Sequence, residues 1–252
     1  MSGHSKWAGI KHKKAVVDAR RGQIFTKVAR ELTVAAREGG SDPGGNFRLR
    51  LAIQKAREVN MPADNIDRAV ARGAGGKDGV QLEEVRYEGY GPHGVAVLVD
   101  TLTDNRNRTV AAIRNLFTRS GGSLGEANSV GWMFQQQGVI RVEANGADPE
   151  GLALSLLDAV DVGDDGDISV DGKEVVVTVA PGRFEDARRA VEEGGHAIES
   201  AEVTMNPSQS IELDARQAPG VLRLLDALEE HDDVQQVYAN AEIPDDVLES
   251  VG

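Results

Sequence analysis

Apolar residues in the first quarter of the chain recur at three- and four-residue spacing. Ile24, Val28, Leu32 and Ala35 predict an amphipathic helix over 23–38, stopped by Gly39-Gly40. Leu49, Ala52, Ile53 and Ala56 predict a second helix from Asn46 to Val59, with Arg50 and Arg57 on a shared outward face. Pro62 suits the first turn of a third, Ala63 to Arg72. The run 73–79, Gly-Ala-Gly-Gly-Lys-Asp-Gly, reads as a flexible linker and a domain boundary.

Beyond residue 79 the pattern changes to short valine-rich runs. Strands are expected at 83–90 and 95–101 around a Gly-Pro-His-Gly turn, followed by a helix from Asn105 to Arg119 with Asp104 as its N-cap. Residues 138–205 then order themselves as strand, helix, strand, strand, helix, strand, the split unit of ferredoxin-like folds. A short strand at 210–213, a helix at 219–230 and a strand at 234–240 lack a sheet of their own and are assigned to the 83–101 hairpin. The expected fold is multidomain α and α+β. An N-terminal helical bundle (1–76) precedes two α+β domains, the middle one discontinuous (77–135 plus 208–252) and the third, ferredoxin-like (136–207), inserted in it.

Charge divides along the same line. Residues 1–76 carry 15 Lys and Arg against 7 Asp and Glu, whereas residues 77–252 carry 13 against 34. A basic head on an acidic body suggests that the head meets phosphate and the body repels it, so that binding has one orientation. Two basic constellations stand out. One is the opening arm, Lys6, Trp7, Lys11, His12, Lys13 and Lys14 with Arg20 and Arg21, dense in cations and holding an aromatic that could stack. The other is Asn105-Arg106-Asn107-Arg108, where two arginines at a helix start oppose the macrodipole and so call for a bound phosphate or an acidic neighbour. Arg50 and Arg57 join them as candidate phosphate contacts.

Other chemistries fail on their spacing. The glycine run has Ala71 where a phosphate loop needs its first Gly and Asp78 where it needs Ser or Thr. The loop from Asp161 to Asp167 resembles a calcium loop, but Gly163 and Gly172 stand where ligands belong. With no cysteine and five scattered histidines, no metal site, cofactor or catalytic residue is expected. His93 reads as an exposed turn residue. The rival classes are an enzyme using Asp100, Asp104 and His93 around a metal, and a small-ligand sensor built on the α+β domains. No stretch is long and apolar enough for a bilayer, and the polar opening lacks a signal peptide's apolar core, so the expected location is the cytoplasm.

The chain resembles the YebC family, whose relatives include the mitochondrial translational activator of cytochrome c oxidase. The resemblance runs end to end through GHSKWAGIKHKK (3–14), RGQIFTKVAREL (21–32), DPGGNFRLR (42–50), YEGYGPHG (87–94), DNRNRTVAAIR (104–114), SAEVTMNP (200–207) and DDVQQVYAN (232–240). It implies a helical first domain and two α+β domains, and a regulator of gene expression, not an enzyme. Two labels attach to the family: DNA-binding transcriptional regulation, and translation on ribosomes slowed at proline-rich stretches. The partner expected is therefore nucleic acid, ribosomal RNA or DNA, with the ribosome itself a candidate and no membrane. No catalytic residue carries over.

Overall fold

The computed structural model describes residues 18–75, 82–146, 148–243 and 247, with side chains from residue 22 onward. The opening arm, the side chains of Arg20 and Arg21, and residues 76–79 of the expected linker lie outside these. The fold is mixed α/β, with helices, two antiparallel four-stranded sheets and a short parallel pair in two compact units. Trp132–Ser210 form one, and the described residues up to Gly131 with those from Ile211 onward form the other.

The larger unit begins with α1 (Asp18–Gly39), α2 (Phe47–Glu58) and α3 (Ala63–Ala74). Their core is small-residue rich, with Ala35, Ala36, Ala52, Ala56 and Ala69 packed beside Val28, Leu32, Leu49 and Ile66. Asn46 joins two of the helices. Its Oδ1 accepts the Leu49 N–H at 3.0 Å as N-cap of α2, while its Nδ2 donates to the Ala35 carbonyl near the end of α1 (2.7 Å) and to the Gly40 carbonyl just beyond it (2.8 Å). The expected linker starts too early: α3 runs through Gly73 to Ala74. Gly73 is buried against α1, where a Cβ would run into the Thr33 carbonyl oxygen and lie 2.9 Å from the Ala36 methyl. It is a close-packing glycine, which accounts for one inside a helix despite its intrinsic penalty.

In the same unit, β1 (Glu83–Tyr90) and β2 (Ala96–Thr103) form the expected hairpin, with Tyr87 opposite Val99. The sheet order is β3-β1-β2-β9, where β3 is Ser123–Leu124 and β9 is Val234–Ala239. Helices α4 (Arg106–Arg119) and α7 (Ala218–Glu229) complete the core with Ile113, Phe117, Leu224 and Leu228. The closing elements divide in a way the sequence did not predict. β9 joins the hairpin, but β8 (Ile211–Glu212) pairs in parallel with β10 (Ala241–Glu242) in a sheet of two. Two residues carry no alternation that would assign them to either partner.

The unit 132–210 runs β4 (Phe134–Glu143), α5 (Pro149–Ala159), β5 (Asp167–Asp171), β6 (Glu174–Val179), α6 (Phe184–Glu193), β7 (Ile198–Pro207). The strand order is β5-β6-β4-β7, antiparallel throughout. β4 starts five residues before the expected Val139, because its Gln-rich opening has no apolar alternation and is held by the ladder to β7, from Phe134 opposite Pro207 to Gln137 opposite Thr204.

One buried carboxylate organises the loop that leads out of the larger unit. Glu88, on β1, accepts backbone N–H groups of Asn128 (2.9 Å), Val130 (2.8 Å) and Gly131 (2.6 Å). Burial pushes its pKa up, but the three donors outweigh burial and hold it below the usual carboxylate range. Because the folded-state value lies below the unfolded one, the contribution is full at neutral pH and is lost as pH falls through the folded value. Glu88→Gln presents an amide where three N–H groups need acceptors, and is expected to lower stability by about 1–3 kcal/mol at pH 7. The gap between variant and wild type should narrow below about pH 4. Urea unfolding at both pH values measures it, and a gap independent of pH would contradict the ionised reading.

Candidate nucleic-acid interface

The start of α4, one of the two basic constellations, is built by a relay of polar groups. Asn105, not the expected Asp104, is the N-cap: its backbone is extended (φ −149°, ψ 92°) and its Oδ1 accepts the Arg108 N–H at 3.1 Å. The Asn105 N–H donates to the Thr103 hydroxyl (2.9 Å), which lies 2.7 Å from that of Thr109. Thr109 in turn donates to the Asp233 carboxylate at 2.7 Å, the stronger acceptor available to it. Asp104 is left to receive Arg108 Nη2 at 2.7 Å.

Asp233 is the centre of this arrangement. Its side chain is 4% exposed and accepts from Arg108 (2.8 Å), Thr109 (2.7 Å) and, from helix α1, Arg30 (3.2 Å). Arg30 also donates to the Asp232 carbonyl at 2.8 Å, and Lys27 to the carbonyl of Glu229. Burial raises the Asp233 pKa, yet hydrogen bonds from Arg108 and Thr109 and the nearby guanidinium hold it below its ordinary value. The Arg108 guanidinium is correspondingly pushed up, first by its hydrogen bond to Asp233 and then by Asp104.

These groups line an open cleft of about 510 Å³. Its lining comes from Gln23 and Arg30 of α1, from Asp104 and Arg108, and from the turn Glu230 to Asp233. Four carboxylates face two arginines here, so the cleft is an internal clamp and not an anion pocket. Of the two arginines at the helix start, Arg108 meets an acidic neighbour inside the chain, while Arg106 and Asn107 are exposed.

The other candidates also divide. Arg57 is exposed, whereas Arg50 is half-buried, donates to the Pro43 carbonyl at 3.0 Å and lies 5.7 Å over the Phe47 ring. Arg72 and Lys55 add exposed cations on α3 and α2. Sequence reasoning missed Arg48, which pairs with Glu31 (2.8 Å), Glu38 (2.7 Å) and Glu84, and missed the link from Arg30 to Asp233, whose partners stand 203 positions apart with no local signal between them. The rival metal site does not assemble. Asp100 takes both arms of Arg86 at 2.6 and 2.8 Å, and Asp104 and His93 sit beyond opposite ends of β2, whose eight residues span roughly 25 Å. Among the described residues no cluster of three or more His, Asp or Glu could hold a metal ion, and no helix is long and apolar enough to cross a membrane.

Comparison with known proteins matches the TACO1/YebC N-terminal domain to residues 5–76, and the TACO1/YebC second and third domain to residues 82–241. The chain belongs to the TACO1/YebC family. Proteins named "probable transcriptional regulatory protein" match it at 52% identity in Shewanella oneidensis, over the whole of both chains, and at 52% in Pelotomaculum thermopropionicum, over 97% of this chain and all of that one. A conserved hypothetical protein of Aquifex aeolicus, solved by crystallography, is 45% identical and superposes with a TM-score of 0.82 over 96% of this chain and 98% of its own. The Shewanella and Pelotomaculum relatives of this TACO1/YebC chain are thus named as probable transcriptional regulators.

The geometry separates the two helix-start arginines experimentally. Arg106→Gln is expected to change unfolding free energy by no more than about half a kcal/mol. Arg108→Gln should lower stability measurably, and Asp233→Asn by about 1–3 kcal/mol, because donors from two elements lose a charged acceptor. Urea titrations followed by circular dichroism compare them, and equal effects of the two arginine changes would contradict the clamp.

Proposed function

We propose that this TACO1/YebC protein is a non-catalytic regulator of gene expression that grips the phosphate backbone of nucleic acid with its basic N-terminal segment. The observation that carries the reading is the charge division: a net +8 over residues 1–76 against −21 over the rest. Counterion release favours phosphate contact by the first, and like-charge repulsion opposes it by the second. The proposed contacts are Lys6, Trp7, Lys11, His12, Lys13, Lys14, Arg20 and Arg21, with Arg57, Arg106 and Asn107 as exposed additions. Arg108, Asn105 and Arg50 support these positions through their internal hydrogen bonds. We place the domains at 1–76, 77–135 plus 208–252, and 136–207, the last a ferredoxin-like insertion.

The target we favour is ribosomal RNA, in the manner of a translational activator acting on slowed ribosomes, because a basic grip on an acidic body suits docking in one orientation on a large particle. The names of the relatives favour the second reading, a DNA-binding transcriptional regulator. Neither a helix-turn-helix spacing nor an RNP-type aromatic motif is present in the sequence, so affinity should be carried by phosphates and not by base edges.

About five phosphate contacts imply a slope of log affinity against log salt on the order of −3.5 for single strands and −4.5 for duplex DNA. Changing Lys11, Lys13 and Lys14 to Glu should flatten it by about two units and weaken binding to all sequences alike. Fluorescence anisotropy across a salt series, with RNA and duplex DNA in parallel, reads both the slope and the preferred target. A folded triple variant with unchanged affinity and slope would sink the proposal.

A further inference from the structure

Helix α5 is apolar on more of its circumference than its packing uses. Its inward row, Ala153 and Leu156, is buried against β5 and β6. One residue further round, Leu154 is 65% and Leu157 53% exposed, so large apolar side chains continue past the buried stripe onto the solvent side. Beside it, the edge strand β5 leaves Val170 43% exposed on the face it shares with Val175, its register partner. Three of the six large exposed hydrophobics among the described residues therefore lie on this one helix and the strand it packs against.

The charges around the patch specify what could cover it. Glu150, Leu154 and Asp158 succeed each other at four-residue spacing, so that a carboxylate stands one turn before and one turn after the exposed leucine. Residues 132–210 hold 16 Asp and Glu against 5 Lys and Arg. The four arginines of the unit are engaged internally: Arg141 with Glu174 and Asp171, Arg183 with Asp161, Arg188 with Glu185 and Glu192, and Arg189 with Asp186. The field presented outward is thus negative. A polyanion is repelled from it, and a second copy would bring an equal negative charge against its own.

We propose that the outer flank of α5, with the adjoining edge at β5, is a docking site for a cationic protein segment that carries apolar side chains one helical turn apart. The leucines supply the buried area, and Glu150 and Asp158 pair with Lys or Arg on either side of it. This role is separate from the grip on nucleic acid and does not depend on it.

The test uses the full chain and a labelled synthetic helix with leucines one turn apart flanked by lysines, beside a matched peptide with serine in place of leucine. The leucine-lysine peptide should bind, and the serine peptide much more weakly. The double change Leu154→Ser with Leu157→Ser should weaken binding at least about tenfold, and Glu150→Gln with Asp158→Asn should flatten its salt dependence. Nucleic-acid affinity should stay as in the wild type in both variants, which separates failure here from failure of the phosphate grip. Four results would overturn the proposal: no binding of the leucine-lysine peptide at moderate salt, equal binding of both peptides, or equal binding by wild type and the leucine variant. The fourth is a marked fall in melting temperature or loss of self-association in that variant, which would mean that the chain itself or a second copy already covers the face.

Discussion

Asp233 brings a negative charge to a place nearly closed to water, and the elements around it are arranged so that the charge is tolerable there. An isolated carboxylate in that position would protonate or pull the surroundings open. Donors come from the first helix through Arg30 and from the start of α4 through Arg108 and Thr109. The Asp233 carbonyl accepts the Leu102 N–H at the end of β2 (2.8 Å), and its own N–H donates to His231 Nδ1 (3.1 Å). Helical bundle, hairpin and closing strand are thereby fixed to one another at a single residue. Their arrangement within this unit follows from where that residue's donors can reach.

This has a consequence for the basic head. A count of its cations overstates what is free to meet phosphate, because several answer carboxylates of the same chain. Arg30 serves Asp233, and Arg48 serves three glutamates, two on α1 and one, Glu84, on β1. Arg48 is pushed to an even higher pKa, with burial opposing and the hydrogen bonds to Glu31 and Glu84 prevailing. Two of these pairs, Arg30 with Asp233 and Arg48 with Glu84, bind head to body within the unit, while cations such as Arg57 and Arg72 of the head are exposed.

Most elements were legible in the sequence because their periods are strong. The spacing of Leu49, Ala52 and Ala56 describes a buried helix face that the structure contains, and the valine-rich run Val95–Thr101 a strand buried on both faces. What was not legible depends on distant neighbours. Asp104 and Asn105 are both good caps, and only the hydroxyl relay from Thr103 through Thr109 to Asp233 decides between them. Gly73 looks like a linker until Thr33 is seen behind it. The two arginines at the helix start call for an anion, and the sequence leaves open whether it comes from outside. For Arg108 it comes from residue 233, and for Arg106 the position stays open to solvent.

For the proposed phosphate grip, the same clamp narrows the surface on which a polyanion could land. Glu230, Asp232 and Asp104 line the cleft beside Arg30, and at 0.1 M salt their field is damped only over about 10 Å. A phosphate backbone approaching α1 from the side of that cleft meets carboxylates before it meets a free guanidinium. Approach is more favourable away from that cleft, as at exposed Arg57 and Arg72 on α2 and α3. For the proposed phosphate grip, Asp104 and the acidic turn from Glu230 to Asp233 thus act locally as the overall charge of the body acts at longer range: they would restrict a polyanion to one side of a broadly basic segment.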